Sequence, residues 1–228
     1  MPFLPNEREY RAMTVEAVTR AADPEAGQQS ESKKVRGYCT TYNDPYLLYA
    51  YQDGPTRVEF WEQVAPGAFA ETDESDVIMQ YDHEGHVYAR ISNKTLQMFD
   101  DEHGHGMESE LGGTTIGNML HEEIAGRYTT KMSMGFTIGA RERVEKWENL
   151  GEEGEKLIIM NTITKINKLY DVSAVSLPAN PGTEISKLSR CAYMTEELEH
   201  ARQELEKKRA ADRKRKLLAL RIKLAQEE

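Results

Sequence analysis

Lys131-Met132-Ser133-Met134-Gly135-Phe136-Thr137-Ile138-Gly139 sets Met132, Met134, Phe136 and Ile138 at every second position, with Lys131, Ser133, Gly135, Thr137 and Gly139 between them. A period of two is that of a β-strand, whose successive side chains point to opposite faces. One face is therefore apolar and seeks a core, and Ser133 points away from it. Its same-face neighbour is Gly135, whose missing side chain leaves space for another extended backbone beside the hydroxyl. A serine on the polar face of a strand is usually ordinary surface, so its meaning depends on what the rest of the chain brings to it.

Working outward, the same texture runs through most of the 228 residues. From Val35 onward, β-branched and aromatic residues recur in short runs separated by turn signals such as Asn43-Asp44-Pro45, Asp53-Gly54-Pro55 and Gly112-Gly113. This spacing predicts one mainly β domain over residues 33–190, in an α+β class. Residues 1–32 carry Pro2, Pro5 and Pro24 and end in Gly27-Gln28-Gln29-Ser30-Glu31-Ser32. They are too polar to bury much surface and read as a flexible arm or linker. Residues 191–228 read as a long helix, because the sequence from Thr195, a helix-capping residue type, to Glu228 holds no Gly or Pro. Apolar seams at Leu198, Ala201 and Leu205, and again at Leu217, Leu220 and Leu224, are separated by a charged run over residues 207–216. Such a helix is either solvated with a weak packing stripe or a contact for an oligomer or a scaffold.

Two further segments bear on Ser133. His83 follows the strand-like run Val77-Ile78-Met79-Gln80-Tyr81 and precedes Glu84-Gly85, which places it at a strand end or in an early loop. Asp171 lies in Leu169-Tyr170-Asp171-Val172-Ser173-Ala174-Val175-Ser176-Leu177, on a face shared with Leu169, Ser173, Val175 and Leu177. A carboxylate on such a face needs a partner, and a histidine ring N–H would serve. Serine is a poor nucleophile near neutral pH unless an imidazole takes its proton. Taken singly, His83 reads as a loop histidine bonded to backbone, and Asp171 as a turn cap or part of a solvated face. If the strands carrying the three residues are neighbours, His83, Ser133 and Asp171 converge as base, nucleophile and orienting acid of a hydrolytic triad.

Composition narrows the partners. Lys and Arg total 29 against 39 Asp and Glu, a formal charge of -10, which argues against general attraction to nucleic acid or an anionic membrane and in favour of protein partners. The helical segment from Thr195 carries +2 of that charge and the remainder -12. Cys39 and Cys191 are the two cysteines, without the spacing of a disulfide scaffold or a zinc ribbon, so a reducing compartment is the simpler inference. No apolar run approaches a membrane span, and the start of the sequence lacks the order of a secretory signal. His83, His86, His103, His105 and His121 fall within 39 residues, which raises metal-dependent hydrolysis as a rival. His83-Glu84-Gly85-His86 has the wrong spacing for a helical zinc site, and Gly104 and Gly106 suggest a turn around His103 and His105. No metal and no cofactor are expected.

With these residues in hand, the chain resembles the phage prohead maturation proteases, which are similar in fold to the herpesvirus capsid assembly proteases. The likeness runs from about Lys34 to Leu188. It is carried by Arg36-Gly37-Tyr38, Glu62-Gln63-Val64-Ala65-Pro66-Gly67-Ala68-Phe69, Tyr81-Asp82-His83, Asn93-Lys94-Thr95-Leu96, Met132-Ser133-Met134-Gly135-Phe136 and Asp171-Val172-Ser173-Ala174-Val175-Ser176-Leu177-Pro178-Ala179-Asn180-Pro181. The resemblance implies a partly closed antiparallel β-barrel with flanking helices, followed by the long helix. It implies His83 as general base, Ser133 as nucleophile and Asp171 as the acid. Glutamate is the commoner acid of the family pattern, so the shorter aspartate either sits on a closer strand or acts indirectly. Oxyanion donors are sought in backbone N–H groups near Ser133 or in Arg127. The implied substrates are scaffold protein or the scaffolding segment of the major capsid protein, cut inside the prohead in the host cytoplasm, together with the protease's own tails. The implied assembly is a homo-oligomer, with the terminal helix in contact with scaffold. The rival non-enzymatic reading is an assembly protein that has lost activity and acts through that helix.

Overall fold

The alternation around Ser133 does fold as a strand, one of eleven among the described residues. The computed structural model describes residues 9–13, 18–19, 33–151, 154–176 and 192–226. In chain order the strands are β1 (Glu9–Met13), β2 (Val18–Thr19), β3 (Lys34–Thr41), β4 (Tyr46–Asp53), β5 (Thr56–Val64), β6 (Ile78–Tyr81), β7 (Glu84–Arg90), β8 (Leu96–Asp100), β9 (Gly104–Glu110), β10 (Lys131–Asn149) and β11 (Glu155–Val175). Helix α1 (Thr115–Ala125) precedes β10, and helix α2 (Ala192–Gln226) follows β11. The strands lie in a compact unit of residues 5–184, while α2 belongs to a second unit.

The strands join into two sheets, one of seven strands ordered β1-β10-β11-β5-β4 with β6 and β7 attached beside β11, and one of four ordered β2-β3-β9-β8. No closed barrel is found among them. The larger sheet is also mixed rather than antiparallel: β11 runs antiparallel to β10 but parallel to β5 over Glu155–Ile163 and parallel to β6 over Asp171–Ala174. The barrel expectation came with the family resemblance, whereas β11 at 21 residues is long enough to take two successive parallel partners, β5 and β6, along one edge. Tight turns follow the signals in the sequence. Gly54 at φ 58° and Pro55 link the paired Asp53 and Thr56, the glycine standing first as a primed two-residue hairpin requires. Thr114 caps α1 by accepting a hydrogen bond from the Gly117 amide.

The apolar face of β10 behaves as its period demands: Met132, Met134, Phe136 and Ile138 are all buried in the main core with Met79, Val172 and Ala174. The opposite face was expected to be polar surface, yet Ser133 and Thr137 are buried as well. Only from Ala140 outward does β10 alternate between covered and open positions. Gly104 and Gly106 also depart from their reading as turn residues. They lie in β9, where they allow a close approach: a Cβ on Gly104 would stand 2.1 Å from the Thr40 carbonyl oxygen, and one on Gly106 would meet the Phe99 ring and the Gly37 carbonyl. β1 and β2 fall inside the stretch read as an arm, because strand pairing satisfies backbone groups without needing a long apolar pattern. α2 begins at Ala192, so Thr195 lies within its first turn instead of capping it. The proline positions of the arm, residues 177–181, Leu188 and Cys191 are outside the described residues, and the side chains of Leu220 and Leu224 with them.

Gly104→Ala should therefore be costly although it adds a single methyl group. The clash is with backbone that cannot rotate away, and overpacking of this kind costs about 1–3 kcal/mol. Urea unfolding followed by far-UV circular dichroism should show a lowered midpoint; a midpoint equal to that of the native chain would contradict the close packing of β9 on β3.

Candidate active site

The site is built on one short stretch of β11 and its two neighbours. Ser133 on β10 pairs with Ser173 on β11, and Gly135 pairs with Asp171. Residues directly opposite in an antiparallel pair share a face, as do residues two apart on one strand. Ser133, Ser173 and Asp171 consequently point to the same side of the sheet. Gly135, the fourth corner of this square, contributes no side chain. On the other edge of β11, Asp171 pairs with Ile78 and Ala174 with Tyr81, so the end of β6 is carried to the same place.

His83 enters from the turn that follows. Tyr81 and Glu84 close a two-residue hairpin whose central residues are Asp82 and His83. Both have positive φ, 49° and 60°, as a type I′ turn requires. Asp and His tolerate this left-handed region better than most side chains, but it remains an unfavourable conformation that surrounding structure must hold. The Asp82 N–H donates to the Ala174 carbonyl at 2.9 Å. The Asp82 carboxylate accepts from both the backbone N–H and the hydroxyl of Ser176, each at 2.8 Å. These bonds tie the turn to the end of β11.

Held there, the imidazole bridges the diagonal of the square. His83 Nδ1 lies 2.5 Å from Asp171 Oδ2, and His83 Nε2 lies 2.6 Å from Ser133 Oγ. An ionised carboxylate only accepts hydrogen bonds, which assigns the proton to Nδ1 and leaves the Nε2 lone pair facing the serine hydroxyl. Ser173 donates from Oγ to the same Asp171 oxygen at 2.8 Å. Asp171 and Ser173 are fully buried, Ser133 is 1% exposed, and the His83 side chain is 15% exposed. A buried carboxylate without partners would cost several kcal/mol, and here two donors supply them. The arrangement is chemically able to deprotonate Ser133 and to hold the resulting imidazolium against a desolvated negative charge.

The three residues singled out from the sequence thus meet in the fold. Ser173 and Asp82 were given no role there. Ser173 was legible in principle, since it shares a face with an acid that needed donors; Asp82 was not, because its partner Ser176 lies 94 residues away. Two of the other histidines have partners of their own. His103 packs edge-on against Tyr38, and His105 stacks on Phe69 with its Nε2 2.9 Å from Glu74 Oε1. Among the described residues no group of three His, Cys, Asp or Glu side chains is placed to hold a metal ion. Arg127 follows α1 at φ 62°, its amide bonded to the Ile124 carbonyl.

The family model described as caudovirus prohead serine protease covers residues 16–200. No curated protein and no solved structure matches the chain.

The Asp82 clasp makes a graded prediction. Asp82→Ala removes two accepted hydrogen bonds and puts a residue intolerant of positive φ in the turn, for a loss of about 2 kcal/mol. Asp82→Asn keeps an acceptor oxygen and the left-handed tolerance, and should lose less than half as much. Urea midpoints equal to that of the native chain in both variants would show that neither the carboxylate nor the turn conformation matters.

Proposed function

The chain belongs to the caudovirus prohead serine proteases, and we propose that within this family it is an endopeptidase with Ser133 as nucleophile, His83 as general base and Asp171 as the orienting acid. It is a protease of phage procapsid maturation. The proposed substrates are scaffold protein or the scaffolding segment of the major capsid protein in the immature shell, within the host cytoplasm, with the protease's own tails as further substrates. Helix α2 is proposed as the scaffold or homo-oligomer contact.

The observation that carries the triad is that one imidazole is bonded at both nitrogens at once, to Asp171 and to Ser133. In the proposed cycle, Ser133 Oγ attacks the scissile carbonyl as its proton passes to His83 Nε2. The tetrahedral intermediate collapses when His83 returns that proton to the leaving amine, and Ser133 keeps the acyl group. Water then attacks the ester with His83 again as base, which releases the acid and restores the hydroxyl. Asp171 holds the tautomer throughout and stays ionised, as the orienting acid does in other serine hydrolases. The shorter aspartate in place of glutamate is supported by the closeness of the two strands, since β6, which leads into the His83 turn, pairs directly with the strand that carries Asp171.

Co-expression with the cognate capsid protein, read by fragment mass, tests this. Native enzyme should release defined capsid or scaffold fragments and shortened forms of itself, and Ser133→Ala should release neither. Asp171→Asn should fold but cut more slowly by a factor on the order of ten thousand, because the amide favours the wrong tautomer. Fragments from Ser133→Ala identical to those from the native chain would end the proposal.

A further inference from the structure

The space beside Ser133 is not empty. β1 lies along the edge of β10, antiparallel, with Met13, Ala12, Arg11, Tyr10 and Glu9 opposite Met132, Ser133, Met134, Gly135 and Phe136. The other edge of β10 is taken by β11 along its whole length, from the pair of Lys131 with Val175 to that of Asn149 with Glu155. An extended peptide therefore has one lane in which to bond to the backbone at Ser133, and a piece of the same chain already occupies it.

Adding a strand to a sheet edge is a general way to hold a peptide, since the ladder gives affinity regardless of sequence and alternate side chains give selectivity. A protease that must find cleavage points in an extended segment has this edge as its nearest set of backbone donors and acceptors. Resting on the triad reading above, we propose that the β10 edge across residues 132–136 is the substrate lane, that a cleavable segment enters it as a strand antiparallel to β10, and that β1 is its intramolecular stand-in, which restrains the enzyme until displaced. β1 is five residues long, so its ladder is short enough to yield. An occupant tethered to the same chain competes at an effective concentration of roughly millimolar order. Dilute peptides lose that competition, whereas substrate packed into a closed shell meets it. The lane thereby links activity to the crowding of substrate chains.

The test uses the full chain and two probes for Ser133: a small alkyl fluorophosphonate, which needs no strand pairing, and a diphenyl phosphonate carrying the five-residue sequence of β1. In Arg11→Pro/Ala12→Pro, adjacent prolines remove N–H groups pointing to both sides of the strand, so a ladder donor is lost whichever way the register alternates. The peptidyl probe should then label Ser133 about tenfold faster relative to the small probe, the factor expected when an occupant present nine-tenths of the time is removed. An unchanged ratio overturns the role of β1. Hydrogen exchange on the native chain gives a readout that does not depend on the variant folding. Labelling by the peptidyl probe should strip protection from the amides of residues 9–13, and protection that persists overturns the proposal. A native chain whose Ser133 reacts with neither probe overturns the triad reading itself, and this inference with it.

Discussion

The register of β11 against its two neighbours at Asp171–Ala174 is the constraint from which the site follows. Over these residues β11 pairs with β10 on one side and with β6 on the other. A slip of one residue would turn Asp171 and Ser173 to the opposite face and carry them away from His83. The opposite face prevents it. Val172 pairs with Met134 and Ala174 with Met132, and all four are buried. A slipped register would push a carboxylate and a hydroxyl into that apolar layer and expose the methionine contacts. Burial of a single large apolar side chain is worth about 1.5–3 kcal/mol, and an unpaired buried charge costs more. The hydrophobic face thus determines where the polar face meets the imidazole.

The same economy explains why strain sits at the turn. Two successive left-handed residues at Asp82 and His83 are unfavourable, by roughly 1–2 kcal/mol each for ordinary side chains. A more relaxed loop would be longer, and a longer loop would let the imidazole wander. The two-residue turn fixes the ring's starting point, and Ser176 and Ala174 fasten it from the end of the strand that bears the acid. His83 and Asp171 are therefore held by a common piece of backbone. Movement of that end of β11 shifts base and acid together, so the bond between them is the part of the site least disturbed by it.

Much of this was legible because the decisive segments are local. The period-two pattern at Ser133, the turn signals at Gly54 and Gly112, and the partner requirement of Asp171 are each contained within about ten residues. What escaped was of longer range. Ser133 was read as lying on an open polar face, and it is buried, since nothing in its own strand says that the His83 turn will pack over it. The mixed sheet escaped because parallel pairing leaves no turn signal between its partners. β1 escaped because the alternation in Glu9-Tyr10-Arg11-Ala12-Met13 spans only Tyr10 and Ala12 before Met13 breaks it, and its partner is a strand more than a hundred residues away. Gly104 and Gly106 were read by the habit of glycine in turns, whereas their use is to let two backbones approach.

β10 and β11 also show how one long hairpin can serve two ends differently. From Lys131 to Gly135 the pairing with β11 is uninterrupted, and it is uninterrupted again from Arg141 to Asn149. All the register shifts fall between Gly135 and Arg141. Irregularities of this kind bend and twist a strand locally, so they act as a joint between the buried inner half and the alternating outer half. The joint thus separates the end of the ladder that carries Ser133 from the outer half. The geometry that matters to chemistry is confined to five consecutive pairs, whose opposite face Met132, Met134, Val172 and Ala174 bury in the core.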